Sequence, residues 1–270
     1  MLATCREQIN TLNIEYISHF SFLDQTGLKE KFIWEDYKVV WNIRKVSMDV
    51  LSIFFQPKHI YPGAKIKEAI RFDRSVVGNA FIPRVKAEAI PFSSKNLSQF
   101  LNHYSINPSS KEAKQIKRGL SDCESPVPKG TKQFCATSLE SMIDNVISEL
   151  GTQNLQVIST IQLVKRGAKE KIFYKVGSPV KELPQEKFVL CHPVASPQAV
   201  FYCHTAPKFK GYVIPLEGNN GTKVNALAIC HYDTKDFSPV FFEMLNVNLT
   251  TKLVICHFLM KDYLAWTPHS

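Results

Sequence analysis

Four Cys-His dipeptides, Cys191-His192, Cys203-His204, Cys230-His231 and Cys256-His257, fall in the last third of this 270-residue chain, with 10, 25 and 24 residues between them. Seven cysteines and eight histidines scattered at random would give roughly 0.2 such dipeptides, so four mark a built pattern. Each closes a short apolar run: Phe188-Val189-Leu190, Val200-Phe201-Tyr202, Leu227-Ala228-Ile229 and Leu253-Val254-Ile255. Runs of this length, rich in β-branched and aromatic residues, read as strands. Successive side chains on a strand face opposite ways. If the cysteines point inward, the four histidines share the other face, and no Cys-His neighbours grip one ion together. The usual zinc pattern of two cysteines two to four residues apart is absent. Two systems follow: structural cysteines joined as disulfides, and a metal-binding set of histidines.

Imidazole suits zinc, copper, iron and nickel, with copper(II) held tightest in the usual order. Other chemistries lack support. The chain has no Gly-rich phosphate loop, no nucleophile elbow and no His-Glu-x-x-His helix. A Cys-His hydrolase is formally possible, but adjacent strand residues face apart and do not form a nucleophile-base pair. The formal charge of +9 favours polyanionic surfaces, but the lysines are dispersed and accompany no nucleic-acid recognition motif. No apolar stretch reaches the length of a membrane span.

The central region reads as helical. Leu97, Phe100, Leu101 and Tyr104 recur at helical spacing behind Ser94 as a cap. Ser109 and Glu112 form a capping-box pattern ahead of Ala113, Ile116 and Leu120. Thr137 and Glu140 form another, opening the stripe Leu139, Met142, Ile143, Val146, Ile147 and Leu150, with Gly151 as the stop. Short strands dominate from Leu155 onward: Val157–Val164, Ile172–Val176, Phe188–His192, Ala199–His204, Gly211–Leu216, Val224–Tyr232, Val240–Val247 and Leu253–Phe258. Asn219-Asn220-Gly221 is a hairpin signal between two of them. Residues 51–92 read as strands and turns punctuated by prolines. The expected fold class is α+β, β-rich, with central helices and a largely antiparallel C-terminal sheet or barrel.

Six cysteines, Cys123, Cys135, Cys191, Cys203, Cys230 and Cys256, are disulfide candidates, and Cys5 is the odd one. Six allow fifteen connectivities. Cys123 with Cys135 would staple the loop between them, or each could pair with a cysteine of a Cys-His strand. Disulfides favour an oxidising compartment. Three glycosylation sequons, at Asn96, Asn220 and Asn248, permit a secretory route. Met1 to Asn10 has no apolar core and is not a secretory signal.

The spacing of the four dipeptides closely resembles the BURP domain of plants. Phe54-Phe55 with Ile60 and Gly63 is similar to its double-phenylalanine motif, and Ile90-Pro91-Phe92-Ser93-Ser94 to a common family segment. Cys123 and Cys135, followed by Ala136-Thr137-Ser138-Leu139-Glu140-Ser141-Met142, resemble its central cysteine pair. Leu216-Glu217-Gly218, Gly221-Thr222 and Trp266 also fit. Ser141-Met142-Ile143-Asp144 and Ala265-Trp266 lean towards the unknown-seed-protein-like branch. The resemblance implies a domain over residues 51–268 behind an N-terminal arm, residues 1–50, which holds Phe32, Trp34, Tyr37 and Trp41.

Some BURP proteins are copper-dependent peptide cyclases. The resemblance therefore implies copper(II) on His192, His204, His231 and His257 as metal ligands and catalytic residues, with molecular oxygen as oxidant. The partner would be a ribosomal precursor peptide crosslinked at Trp or Tyr. No core peptide repeats in this chain, so the precursor would be a separate chain. By strand alternation alone, Asp233, two residues after His231, either orients a ligand from the same strand face or is a surface carboxylate in a turn. The alternative implied by the family is a non-catalytic secreted protein of the cell wall, seed or stress response that binds acidic polysaccharide. BURP proteins usually begin with a signal peptide, so the expected route is secretory, to apoplast or vacuole, with no signal in this chain.

Overall fold

The computed structural model describes residues 53–269, apart from 73–79, 128–129, 165–170, 184–186, 206–207, 233 and 235–252. The expected aromatic arm, the strand Val240–Val247, Cys5 and Asp233 lie outside the described residues. The first element is a two-residue strand, β1 (Phe54–Phe55). A run of helices follows: α1 (Arg84–Ala89), α2 (Leu97–His103) and α3 (Lys111–Glu124). Strand β2 (Gln133–Ala136) then precedes α4 (Leu139–Leu150). The C-terminal half is strands: β3 (Leu155–Ile158), β4 (Ile161–Val164), β5 (Tyr174–Val176), β6 (Lys181–Glu182), β7 (Val189–Val194) and β8 (Val200–His204). They continue through β9 (Phe209–Gly218), β10 (Lys223–His231), β11 (Ile255–Phe258) and β12 (Leu264–Pro268).

Among the described residues these strands form two antiparallel sheets. One runs β1-β11-β10-β9-β5, with β4 also on β10 and β6 also on β9; it curls into a half-barrel. The other runs β2-β8-β7-β12-β3. The expected α+β, β-rich class is therefore observed. No helix among the described residues is long and apolar enough to cross a membrane.

Four sequence expectations need correction. Val157–Val164 is not one strand. It breaks at Ser159-Thr160, and its halves, β3 and β4, join different sheets. Buried Thr160 makes this corner possible: its hydroxyl donates to the Leu259 carbonyl and accepts from Leu227 N at 2.9 Å, so the broken ladder leaves no orphan there. Residues 84–89, read as strand and turn, form α1, whose first turn closes as Lys86 N and Ala87 N donate to Pro83 O at 2.9 and 3.0 Å. Strands β2, β6 and β12 were not anticipated; their pairing is long-range.

The caps also shift by one residue. Ser93 caps a 3-10 turn (Ser94–Asn96) leading into α2, Ser110 caps α3, and Ser138 caps α4 with Ser141 completing the box. At each helix two hydroxyl residues stand side by side, and register of the first turn decides which one reaches the free N–H groups. The helix faces are as expected: Met142, Ile143, Val146 and Leu150 are buried on α4, and Gly151 ends it in the left-handed region at φ 73°.

Helix α3 packs onto the five-stranded sheet through Gly119, where an added Cβ would run into Val194 Cγ1. Gly119→Ala is expected to lower stability by about 1–2 kcal/mol, even though alanine is the better helix former by ~1 kcal/mol. A denaturant midpoint equal to or above the parent's would show that Val194 turns aside freely.

Candidate metal centre

The two sheets treat the dipeptides alike. In the five-stranded sheet Cys191 stands opposite Cys203 across β7–β8, and the two form a disulfide. In the half-barrel Cys230 stands opposite Cys256 across β10–β11, and these also join. Cys123 of α3 pairs with Cys135 of β2. All four cysteines of the dipeptides are at most 1% exposed, whereas each adjoining histidine keeps an edge in contact with solvent. The inward cysteine and outward histidine expected from strand alternation are present.

The register then places the histidines diagonally. His192 lies opposite Tyr202 while His204 lies opposite Leu190, so the two imidazoles meet across the ladder with ring planes 4° apart and Nε2 atoms 3.0 Å apart. His231 lies opposite Ile255 and His257 opposite Ile229, giving planes 11° apart and Nε2 atoms separated by 3.2 Å. The expected shared histidine face is thus two matched pairs, one per sheet. Among the described residues no three His, Cys, Asp or Glu side chains converge as a metal cluster.

Backbone carbonyls set the tautomers. His204 Nδ1 faces Thr205 O at 3.2 Å and His257 Nδ1 faces Phe258 O at 3.4 Å. A carbonyl only accepts, so each Nδ1 carries the proton and each Nε2 offers its lone pair. In the metal-free protein the Nε2–H of His192 and of His231 donates to that lone pair.

Burial and then the charge of neighbouring histidines push His192 and His231 well below the ordinary range. Burial lowers His257 to about 4 and lowers His204 as well, each against a carbonyl that pulls it up. His192 feels both His257 and His231, so the pairs lie within electrostatic reach of each other. All four imidazoles are therefore neutral at pH 7, the state a metal requires.

Two imidazole nitrogens on one ion, about 2.0–2.1 Å from it at an angle of roughly 90–110°, stand about 2.8–3.4 Å apart. Both observed separations fall in that window, so each pair fits two adjacent positions on one ion and leaves the others open. Copper(II) accepts such nitrogen donors.

Aromatic rings wall the pairs, and sequence reasoning had not singled them out as site residues. The Tyr202 ring centroid lies 6.2 Å from His192 and 5.5 Å from His204, and Tyr263 meets His192 edge-on at 5.0 Å. Phe54 lies 5.3 Å from His257 and Phe209 6.3 Å from His231. The Tyr202 hydroxyl donates to Gln133 Oε1 at 2.9 Å. Burial, then the charge of Asp122, raises Tyr202 to about 12; burial raises Asp122 to about 6 against the pull of Arg118. Tyr202 was legible as a same-face neighbour of His204, two residues away on one strand. Asp122, Gln133 and Tyr263 carry no local signal.

The BURP domain family model matches residues 53–268. The chain belongs to the BURP domain family. BURP domain-containing protein 5 of Oryza sativa subsp. japonica is 36% identical over 219 residues, covering 80% of this chain and 67% of that protein. BURP domain protein RD22 of Arabidopsis thaliana is 35% identical over 218 residues, 80% of this chain and 55% of that one. Protein RAFTIN 1B of Triticum aestivum is 32% identical over 193 residues, 70% and 52%. The chain spans about half the length of the last two of these relatives. The four Cys-His dipeptides of this BURP domain are the eight residues that make up both histidine pairs and two of the three disulfides.

Proposed function

We propose that this BURP domain is a copper-dependent oxidative cyclase that crosslinks Trp or Tyr side chains of a ribosomal precursor peptide supplied as a separate chain. The observation that supports the reading is the pair geometry: two sets of neutral, part-buried imidazoles with Nε2 atoms 3.0 and 3.2 Å apart. Joining an aromatic side chain to an unactivated carbon removes two hydrogen atoms, which no acid-base pair achieves at neutral pH. Bound copper would supply the one-electron oxidations, with the peptide's two electrons and two protons passing to molecular oxygen to give hydrogen peroxide.

The chain's own residues provide the rest. His192 with His204, and His231 with His257, would each hold an ion through Nε2, while Thr205 O and Phe258 O keep two of the rings oriented. Tyr202, Tyr263, Phe54 and Phe209 offer aromatic walls against which a Trp or Tyr can pack. Gln133 holds the Tyr202 hydroxyl, which keeps that ring in place beside both histidines. Holding the two reacting peptide atoms at contact distance is the protein's main kinetic contribution. Disulfides and family suit the secretory pathway as the place of action.

The test compares the protein with a variant carrying alanine at His192, His204, His231 and His257. Both are loaded with copper, desalted and analysed for metal, then incubated in air with aromatic precursor peptides. The parent is expected to retain copper and to yield a peptide lighter by two hydrogen atoms; the variant does neither while keeping its circular-dichroism spectrum. Equal copper in the two proteins, or none in either, overturns the reading and favours a structural role with polysaccharide binding.

A further inference from the structure

We propose that the Cys123–Cys135 disulfide is an exchangeable latch: a dithiol opens it in the folded protein, and the freed end of α3 uncovers the first histidine pair. The three bridges differ in reach. Cys191, Cys203, Cys230 and Cys256 are at most 1% exposed, whereas Cys123 and Cys135 are only half-buried. Exchange requires a thiolate to reach a sulfur, so a bridge at the surface reacts directly and a buried one waits for the protein to open.

The latch stands on the histidine face of the five-stranded sheet. Cys135 lies opposite Tyr202 across β2–β8, and Tyr202 lies opposite His192 across β8–β7. Residues directly opposite in an antiparallel ladder share a face, so Cys135, Tyr202 and His192 form one row. Gln133, two residues before Cys135, lies opposite His204 on that face. Helix α3 covers the same side: Gly119 packs on Val194, two residues along β7 from His192. The Cys191–Cys203 bridge lies on the opposite face.

What the latch holds is the last turn of α3. Leu120 is the final buried residue of that helix, and Ser121, Asp122, Cys123 and Glu124 follow it. Apolar packing therefore stops one turn short of the helix end. Beyond it, Glu124 Oε1 accepts from Ser94 N at 2.7 Å, and the Ser125 carbonyl accepts from Gln133 Nε2. The same Gln133 side chain holds the Tyr202 hydroxyl at 2.9 Å, beside both histidines. A turn with so little apolar burial opens at low free energy once its covalent tie is cut. Strand β2 stays in place, because it keeps four residue pairs to β8 and two further bonds between Lys132 and Thr205. The helix end leaves, Gln133 loses Ser125, and the Tyr202 wall beside His192 and His204 loosens.

The exchange balances within its own reactants. A thiolate of the dithiol attacks one sulfur of the bridge and expels the other as thiolate. The second thiol of the reductant then resolves the mixed disulfide. Two electrons and two protons pass to Cys123 and Cys135, and the reductant leaves as its own disulfide. The step uses no metal, so it stands or falls apart from the copper reading.

The test incubates the metal-free full chain with dithiothreitol at pH 7 without denaturant, quenches samples with iodoacetamide and maps them by mass. Cys123 and Cys135 are expected to be alkylated about tenfold sooner than the other four bridged cysteines. The alkylated protein and, separately, a Cys123→Ser/Cys135→Ser variant are then treated with diethyl pyrocarbonate, which acylates neutral imidazoles. In both, His192 and His204 should react about three- to tenfold faster than in the oxidised parent, with His231 and His257 unchanged. The reduced parent carries the comparison if the variant does not fold. Global unfolding on reduction, or loss of all three bridges together, overturns the latch. Histidine rates equal to the parent's, or raised alike in both pairs, overturn its control of the first pair.

Discussion

Replacing Cys230 and Cys256 together by alanine is expected to destabilise the protein by about 3–4 kcal/mol and, at the copper site proposed above, to weaken metal retention by about 10–100-fold. The first figure follows from chain entropy: the bridge closes a loop of sequence separation 26 in the unfolded state, against 12 for Cys191–Cys203. The longer loop gives the larger constraint, although only slightly, because the dependence is logarithmic.

The second figure follows from placement. Strand β11 meets β10 over four residue pairs and β1 over two. The disulfide lies in the middle of that short ladder, directly behind His231 and His257. A slip of one residue would turn His257 to the opposite face. Strand β7 is held more firmly, by five pairs to β8 and three to β12. Removing Cys191 and Cys203 should therefore cost a similar amount of stability, about 3 kcal/mol, and less copper. Guanidinium unfolding and metal analysis of the two double variants measure both effects. Unchanged copper affinity in the Cys230/Cys256 variant would mean that the backbone ladder alone holds the imidazoles in line.

Acid should unfold the metal-free protein early. His257 is lowered to about 4 and His192, His204 and His231 are lowered in the same direction. Above pH ~6.5 these groups are neutral in both folded and unfolded chains. Between ~6.5 and about 4 the unfolded chain takes up protons that folded His257 refuses, so stability is fully present above that window and falls as pH falls through it. His257 alone accounts for about 2 kcal/mol once its remaining contact with solvent is allowed for.

Asp122 acts the other way. Its folded value near 6 lies above its ordinary value of 3.8, so it favours the folded state as pH falls. Four histidines outweigh one carboxyl, and the net slope is downward. Denaturant midpoints at pH 7, 5.5 and 4.5, with a chelator present, should fall in that order. A flat profile would mean that the imidazoles are more hydrated than their burial implies.

Local periodicity was readable directly. The alternation of strand residues separated Cys191, Cys203, Cys230 and Cys256 from the histidines beside them, and the structure buries the first set and leaves the second reaching solvent. The apolar face of α4, its glycine stop and the hairpin at Asn219-Asn220-Gly221 are equally local, because each depends on neighbours within a turn or two. The Cys-His spacing carried the family.

What only the tertiary structure decided concerns partners. Fifteen disulfide arrangements were open, and the pairing of β7 with β8 and β10 with β11 selects Cys191–Cys203 and Cys230–Cys256. The same registers divide four histidines into two diagonal pairs, a distinction invisible to spacing because it depends on which strand lies alongside. The sheet change at Thr160, the approach of Asp122 and Gln133 to Tyr202, and that of Tyr263 to His192 arise from contacts between segments far apart in the chain. Periodicity says which way a side chain faces; strand order and register say what it meets there.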